Sequence, residues 1–186
     1  TEEVLNGDIH TANMKMAGLT DRDQAKTFIY AFMYGAGASK IGKIVGKGAK
    51  EGQQLIDRFL SNMPALKRVR DSVTETAKRG KIRGIDGRLL YVRSPHSALN
   101  TLLQGAGAVV CKLWLINMNK RIVQTGVDAK LVASIHDEYQ YEVAKKDVKR
   151  FGSITKDAMK DTEHQLKMKC PLDSEWKEGT TWAETH

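Results

Sequence analysis

The sequence predicts a mainly helical α+β fold. Long runs with apolar residues at helical spacing make up most of the 186 residues. Two pairs of short β-prone runs each flank a polar turn, which is typical of β-hairpins. The chain contains only three prolines, and each stands where an element is expected to begin or end.

The first half of the chain is predicted to be helical. After an opening loop, Thr20 and Asp23 have a spacing similar to a capping box, before a helix over about residues 20–34. The Gly-Ala-Gly run at 35–37 is expected to end this helix. Further helices are expected over about 38–45, 47–62 and 64–79.

The second half combines hairpins with two long helices. Asp86-Gly87 lies between two β-prone runs and is a strong signal for a tight hairpin turn. A helix is expected over about 97–124, where small residues in the middle favour close packing. The runs KLVASI and YQYEV are predicted to pair as strands joined by His136-Asp137-Glu138. A charged amphipathic helix over about 145–168 and an irregular tail complete the chain.

Composition and charge narrow the possible functions. Hydrophobic residues make up 41% and charged residues 28%, as in globular rather than disordered proteins. No stretch reaches the roughly 18 apolar residues of a membrane span, and no secretory leader opens the chain. Cys111 and Cys170 match no metal or disulfide spacing, so we expect core or near-core thiols of an intracellular protein. The net charge of +8 favours a polyanionic partner, with nucleic acid ahead of an acidic membrane surface.

The stretch from Gly37 to Lys43 is similar to the glycine-rich loop of P-loop nucleotide-binding proteins. That loop requires a Ser or Thr directly after the lysine and a buried strand before the first glycine. Here Ile44 follows the lysine, and the residues before Gly37 have helical periodicity. The sequence therefore does not support a P-loop.

The helix before this stretch carries four residues on one side. Arg22, Lys26, Tyr30 and Tyr34 are four residues apart, so they form a stripe about 18 Å long on an α-helix. Its cations suit phosphates, and its rings suit the sugar and base of a nucleotide. The alternative is a solvated helix edge with two amphipathic tyrosines. The interleaved apolar residues expected to seat the helix on a core are Ala25, Phe28, Ile29, Phe32 and Met33.

The pattern Arg22-x3-Lys26-x3-Tyr30-x3-Tyr34-Gly resembles motif B of the family A (DNA polymerase I-like) DNA polymerases. LNGDIHT upstream, SPHSALNTLLQGAGAVVCKLW in the middle and HDE downstream resemble other blocks of that family, in the same order. The chain is most similar to the replicative polymerases of short-tailed phages, from about Leu5 to the final WAETH. The resemblance implies a right-hand polymerase fold, with the fingers over residues 1–94 and the C-terminal part of the palm over 95–186.

The resemblance also implies roles in binding the incoming dNTP. Arg22 and Lys26 would hold its phosphates, and Lys26 would offset charge on the departing pyrophosphate and act as proton donor. Tyr30 would lie against the sugar, and Tyr34 beside the templating base or its neighbour. His10 aligns with a histidine that contacts the nucleotide phosphates; an ordinary loop histidine is the alternative.

Two downstream blocks imply contacts with metal and DNA. HDE resembles motif C, so Asp137 is the expected Mg²⁺ ligand of a two-metal site and Glu138 a second acid beside it. Asn100 and Gln104 resemble residues that touch primer and template in the minor groove, and His136 would contact the primer end. Without the resemblance, HDE would be interpreted as an ordinary polar turn.

The family's motif A aspartate, its thumb and any 3′–5′ exonuclease domain are not found in these residues. We therefore expect DNA synthesis only with an N-terminal segment that carries motif A and the thumb. A processivity factor would bind through that segment, and no membrane is involved. If the chain is phage-encoded, its compartment is the cytoplasm of the infected host. A non-catalytic DNA-binding module derived from the same fold is the alternative of a different class.

The first residue is Thr1 rather than Met. We expect the chain to be processed, truncated or part of a larger protein. A naturally split subunit, a processed or spliced piece and a cloned fragment are all compatible with the sequence.

Overall fold

In a computed structural model, which describes residues 7–185, the chain divides into two compact units. The first unit ends at Gln104 and the second begins at Gly105, so the boundary falls inside a long helix. Helices dominate the described residues, and their strands form two small antiparallel sheets, which confirms the predicted α+β class. Thr1, Leu5 and Asn6, on which part of the sequence interpretation depends, lie outside the described residues. The assignment of fingers to 1–94 and palm to 95–186 stays a prediction.

The described part of the first unit consists of helices and one hairpin. Its elements are α1 (Ile9–Ala17), α2 (Arg22–Met33), α3 (Ala38–Ile44), α4 (Ala49–Asn62), α5 (Pro64–Ala77), β1 (Lys81–Arg83), β2 (Leu89–Tyr91), a 3-10 turn (Pro95–Ser97) and the start of α6 (Ala98–Thr125). Strands β1 and β2 pair antiparallel around Asp86-Gly87. The helices and the hairpin predicted for this half are confirmed, apart from the opening segment.

Helix α1 replaces the predicted opening loop. Asp8 caps its first turn, because the side chain accepts a hydrogen bond from the backbone N–H of His10. Gly18 ends the helix in the left-handed conformation, with φ of 69°. The prediction of a loop was therefore wrong for residues 9–17.

The cap of α2 also differs from the prediction. Asp21, not Thr20, precedes the first helical residue, and its side chain accepts hydrogen bonds from the backbone N–H groups of Asp23 and Gln24. The negative charge of an aspartate at this position also interacts favourably with the positive end of the helix dipole. Helix α2 therefore begins at Arg22, two residues later than expected.

Three phenylalanines form the centre of the first unit. Phe28 and Phe32 of α2 meet Phe59 of α4 edge to face, with ring centroids 5.3 and 5.5 Å apart. All three side chains are buried, and burial contributes about 2–3 kcal/mol for each. This cluster fixes which side of α2 faces the core.

The described part of the second unit contains a hairpin, two long helices and a tail. Its elements are the rest of α6, β3 (Ala129–Ile135), β4 (Glu138–Val143), a 3-10 turn (Lys145–Asp147), α7 (Val148–Leu166) and α8 (Trp182–Thr185). The predicted long helix, paired strands and amphipathic helix are confirmed. The tail, predicted to be irregular throughout, contains the short helix α8.

The core of the second unit joins α6, α7 and one face of β4. Trp114 and Met118 of α6 are buried with Ala158 and Met159 of α7, and Tyr139 of β4 packs against them. The Trp114 indole Nε1 donates a hydrogen bond to the carbonyl of Thr155, 2.9 Å away. The hairpin therefore rests on a helix pair.

One feature contradicts the prediction that no stretch is long and apolar enough to span a membrane. The segment Pro95–Thr125, which contains α6, is long and apolar enough by length and composition. Core helices of soluble proteins satisfy the same criterion, and α6 contributes the buried residues Val109, Trp114 and Met118. This property alone does not indicate a membrane protein.

Candidate functional site

The predicted stripe lies on the exposed side of α2. Arg22 and Lys26 are exposed, and 51% of Tyr30 and 60% of Tyr34 remain accessible. The interleaved apolar residues are buried or half-buried and pack in the core: Ala25, Phe28, Ile29, Phe32 and Met33. The prediction that these apolar residues seat the helix is therefore confirmed. The four stripe side chains are left accessible to a ligand.

Arg22 makes a bidentate ion pair with Asp8. Its Nε lies 2.9 Å from Asp8 Oδ2, and its Nη2 lies 3.2 Å from Oδ1. The Arg22 guanidinium, followed by the Thr11 hydroxyl, holds the pKa of Asp8 well below its usual range. The same pair raises the pKa of Arg22. The residue expected to bind phosphate is thus oriented by a neighbouring carboxylate.

Asp8 was not among the predicted site residues. Its position before an apolar run was a usable signal for the cap of α1. Its pairing with Arg22, 14 residues away, depends on how α1 packs against α2. No local spacing rule gives such a contact.

His10 lies in the first turn of α1 and not in a loop. Its Nδ1 is buried and has no hydrogen-bond partner among residues 7–185. A buried polar atom without a partner costs about 1–3 kcal/mol.

The glycines after α2 do not form a phosphate-binding loop. Gly37 follows α2 and is the N-cap residue of α3. A helix, not a buried strand, therefore precedes it, as the sequence analysis predicted.

Asn100 and Gln104 lie in the first two turns of α6, on the same side of the helix. Asn100 is half-buried and Gln104 is exposed. Both belong to the first unit, as do His10 and the α2 stripe, whereas HDE belongs to the second unit.

A tight turn joins β3 to β4. Ile135 pairs with Glu138, so His136 and Asp137 alone form the turn and Glu138 is the first residue of β4. The prediction that all three residues lie in the turn was therefore wrong for Glu138. His136 has φ of 53°, a conformation that is uncommon for residues other than glycine and is held here by the paired strands. His136 and Asp137 are exposed, and Glu138 is half-buried.

The side chains behind the turn are weak acids that stay protonated near neutral pH. Burial, and secondarily the charge of Asp137, raises the pKa of the Cys111 thiol. Burial also raises the pKa of Tyr139, and it raises the pKa of Tyr141 to about 12.

Two donors bind the same oxygen of Glu138. The Gln140 amide Nε2 and the Trp182 indole Nε1 both donate to Glu138 Oε1, the latter over 3.2 Å. The Thr185 hydroxyl donates to Gln140 Oε1 over 3.1 Å. These contacts bring α8 to the acidic turn, and the sequence analysis did not predict them.

The acidic turn fits part of a magnesium site. Asp137 and Glu138 supply carboxylate oxygens, the ligands that Mg²⁺ prefers. Among the described residues, however, no group of three or more His, Cys, Asp or Glu side chains is placed to hold a metal ion. The turn therefore fits a site that takes its remaining ligands from substrate, water or another segment.

The helices and small antiparallel sheets have the architecture of a polymerase domain. A solved structure, the POL domain of Pol1 from M. smegmatis in complex with DNA primer-template and dNTP, matches 84% of this chain with a TM-score of 0.75. The match covers 31% of that chain at 20% sequence identity, so it supports the fold alone.

The chain belongs to DNA polymerase family A, whose sequence model matches residues 5–184. In an alignment of 206 positions, it is 43% identical to the DNA-directed DNA polymerases of Enterobacteria phage T3 and Escherichia phage T7. It is 45% identical to that of Escherichia phage Phieco32 over 190 residues. These matches cover 98–99% of this chain but only 29–31% of each relative. The resemblance to family A and to phage polymerases is confirmed.

Proposed function

We propose that this chain supplies part of a DNA polymerase active site: the helix that binds the incoming dNTP and one side of the metal site. The exposed stripe of α2 in a family A chain is the observation that carries the proposal. In the reaction, the primer 3′-oxygen forms a bond to the α-phosphorus of the dNTP. The bond to the β-phosphate breaks, and pyrophosphate leaves.

The cationic half of the stripe binds the triphosphate. Arg22 offers a planar fork of donors, and Lys26, one turn further, offers a mobile ammonium group. Lys26 offsets the charge that develops on the leaving pyrophosphate and can donate a proton to it. His10, in the first turn of α1, is assigned to the same phosphates by the resemblance to the family.

The aromatic half of the stripe positions the rest of the nucleotide. Tyr30 lies against the sugar, and Tyr34 at the end of α2 lies beside the templating base. Asn100 and Gln104 contact primer and template through minor-groove acceptors, which are present in every base pair. These amides test the shape of the base pair without selecting a sequence.

The turn supplies the acidic side of the site. Asp137 is the metal ligand, Glu138 supports it, and His136 contacts the primer end. Asp137 and Glu138 would hold magnesium at the turn, where it would supply activation of the attacking oxygen and offset charge on the phosphates. The exposure of Asp137 and the neutral side chains behind it support this role.

The activity requires a partner segment. The chain spans less than a third of the length of its phage relatives. We propose that an N-terminal polymerase segment supplies motif A and the thumb, and that a processivity factor binds through it. The fingers would then occupy about residues 1–94 and the palm 95–186. For a phage-encoded chain, the site of action is the host cytoplasm.

Reconstitution tests the proposal. The chain is mixed with a fragment that carries motif A and the thumb, and extension of a primer by dNTPs is measured with Mg²⁺. We expect extension from the mixture and from neither part alone. Asp137→Ala should abolish it, whereas Glu142→Ala, at an exposed acid of the same strand, should not.

A charge-matched pair tests the stripe in the same assay. Lys26→Met should lower the rate by at least about 100-fold, since electrostatic stabilisation of developing charge is typically worth that much. Lys156→Met, which removes one exposed cation from α7, should leave the rate unchanged. The catalytic proposal would be ruled out if the mixture extended no primer, or if Asp137→Ala and Lys26→Met left the rate of extension unchanged.

A DNA-binding module without catalysis is the second candidate. The lack of a three-ligand metal cluster in the described residues and the net charge of +8 favour it. It predicts binding to primer-template that weakens steeply with salt, as counterion release demands, and no extension with any motif A segment. The reconstitution assay therefore separates the two candidates.

A further inference from the structure

The tail after α7 is held against the second unit by hydrogen bonds and by packing on α7. The backbone N–H of Leu172 donates to Glu163 Oε2 over 2.7 Å, and the Leu172 carbonyl accepts from Lys160 Nζ over 2.9 Å. Further on, the ring of Trp176 packs so closely on Gly152 of α7 that a Cβ there would lie 2.3 Å from it. The tail therefore follows a defined path from α7 towards β4.

The tail ends in a turn that is closed by its own side chains. Glu184 Oε2 accepts hydrogen bonds from the backbone N–H and the hydroxyl of Thr180 and from the backbone N–H of Thr181. These bonds, those of Thr180 first, lower the pKa of Glu184. The carboxylate thus caps the short helix α8 and fixes the orientation of Trp182.

Trp182 and Thr185 of α8 both connect to β4 at the acidic turn. The indole Nε1 of Trp182 donates to Glu138 Oε1, and the Thr185 hydroxyl donates to Gln140, whose amide donates to the same Glu138 oxygen. The two routes, one direct and one through Gln140, therefore end on a single carboxylate oxygen. The contacts span 44 and 45 residues of sequence.

We propose that α8 positions the Glu138 carboxylate and that Trp182 is the positioning residue. The catalytic importance of this positioning rests on the proposed function. The hydrogen bond between Trp182 and Glu138 does not depend on the proposed function. A hydrogen bond from a neutral donor to a carboxylate is stronger than one between neutral groups and restricts rotation of the carboxyl group. Trp182 touches no reacting atom in this scheme and acts through Glu138.

The contact is tested on the full chain without any partner. The indole N–H groups of the three tryptophans give separate signals in a ¹H–¹⁵N NMR spectrum, and Trp182→Phe assigns one of them. Glu138→Ala should shift the Trp182 signal and speed up its hydrogen exchange at least about threefold. Glu138→Gln, which keeps the side-chain size, serves if the alanine variant is unfolded, and Glu142→Ala is the matched control. The proposal is overturned if the Trp182 signal does not change when Glu138 is replaced, or if Glu142→Ala changes it equally.

The catalytic consequence is tested by a double-mutant cycle in the reconstituted polymerase. Trp182→Phe should lower kcat about 3- to 10-fold, with the KM for primer-template unchanged. The same substitution should have no further effect in a Glu138→Ala background, because the positioned group is then missing. Equal effects in both backgrounds would show a purely structural role and overturn the proposal. If the wild-type mixture extends no primer, the proposed function fails. The NMR experiment then decides by itself whether Trp182 positions Glu138.

Discussion

The Cα of Gly52 faces the carbonyl oxygen of Ala38 so closely that an added Cβ would lie 2.0 Å from that oxygen. Gly52 is buried in α4, and Ala38 is the first residue of α3. Because the obstacle is backbone, it cannot turn aside as a side chain can. We expect Gly52→Ala to lower the free energy of unfolding by about 1–3 kcal/mol, measured by urea denaturation.

Gly107 provides the matched control for this prediction. It also lies inside a helix, but nothing is within 4 Å of a Cβ built on it. Alanine has the higher helix propensity, so Gly107→Ala should raise the free energy of unfolding by up to about 1 kcal/mol. Changes of the same sign in both variants would contradict the packing interpretation.

The Asp8–Arg22 pair predicts an acid-shifted titration. The folded-state pKa of Asp8 lies below the ordinary aspartate value of 3.8. The pair therefore contributes its full stability above that pH and loses it as pH falls through the folded pKa. A carboxyl-detected NMR titration should place the midpoint of Asp8 well below 3.8. Arg22→Gln should return it towards that value. A midpoint that does not move in this variant would assign the shift to the cap of α1 instead.

Tyr141 predicts an alkaline limit to stability. Its pKa is raised from 10.0 to about 12, mainly by burial, so the folded state keeps a proton that the unfolded state loses. The resulting stability is complete below pH 10.0 and is lost as pH rises towards 12. After a rapid pH jump, tyrosinate absorbance should show late ionisation of Tyr139 and Tyr141, and Tyr141→Phe should remove the step near pH 12. Tyr91→Phe, at a side chain that is 83% exposed, should leave this late step in place.

Tyr30 predicts how the reconstituted polymerase treats dideoxynucleotides. In the proposed function Tyr30 lies against the sugar, where its phenol hydroxyl can replace the hydrogen bond of a missing 3′-hydroxyl, so tyrosine at this position would weaken rejection of ddNTPs. Tyr30→Phe should increase discrimination against ddNTPs at least about fivefold, the worth of one net hydrogen bond. The ratio of kcat/KM for dNTP and ddNTP measures it. Equal ratios for wild type and variant would remove Tyr30 from the sugar contact.

The helical framework and the α2 stripe were predictable because both depend on local periodicity. Arg22, Lys26, Tyr30 and Tyr34 are exposed together for the same reason that Phe28 is buried: residues four apart share a side of a helix. The HDE hairpin was predictable from two β-prone runs around a polar turn.

The contacts that orient these residues were not predictable, because they join segments distant in sequence. Asp8 reaches Arg22 across 14 residues, and Trp182 reaches Glu138 across 44. The start of α1 is different, since Asp8 and Gly18 are recognisable cap residues on either side of it. These two caps are local signals, so the sequence alone suffices to predict that helix.

The partners of Asp8 have a consequence for ligand exchange at α2. If Arg22 rotates towards an incoming phosphate, Asp8 keeps the hydrogen bonds from the His10 backbone N–H and the Thr11 hydroxyl, at 3.0 and 2.7 Å. The carboxylate therefore keeps hydrogen-bond donors when the guanidinium leaves, and it stays in position to pair with the guanidinium again. Under the proposed function, such an arrangement would let one arginine alternate between an internal and an external anion in every catalytic cycle with little reorganisation of the surrounding helix.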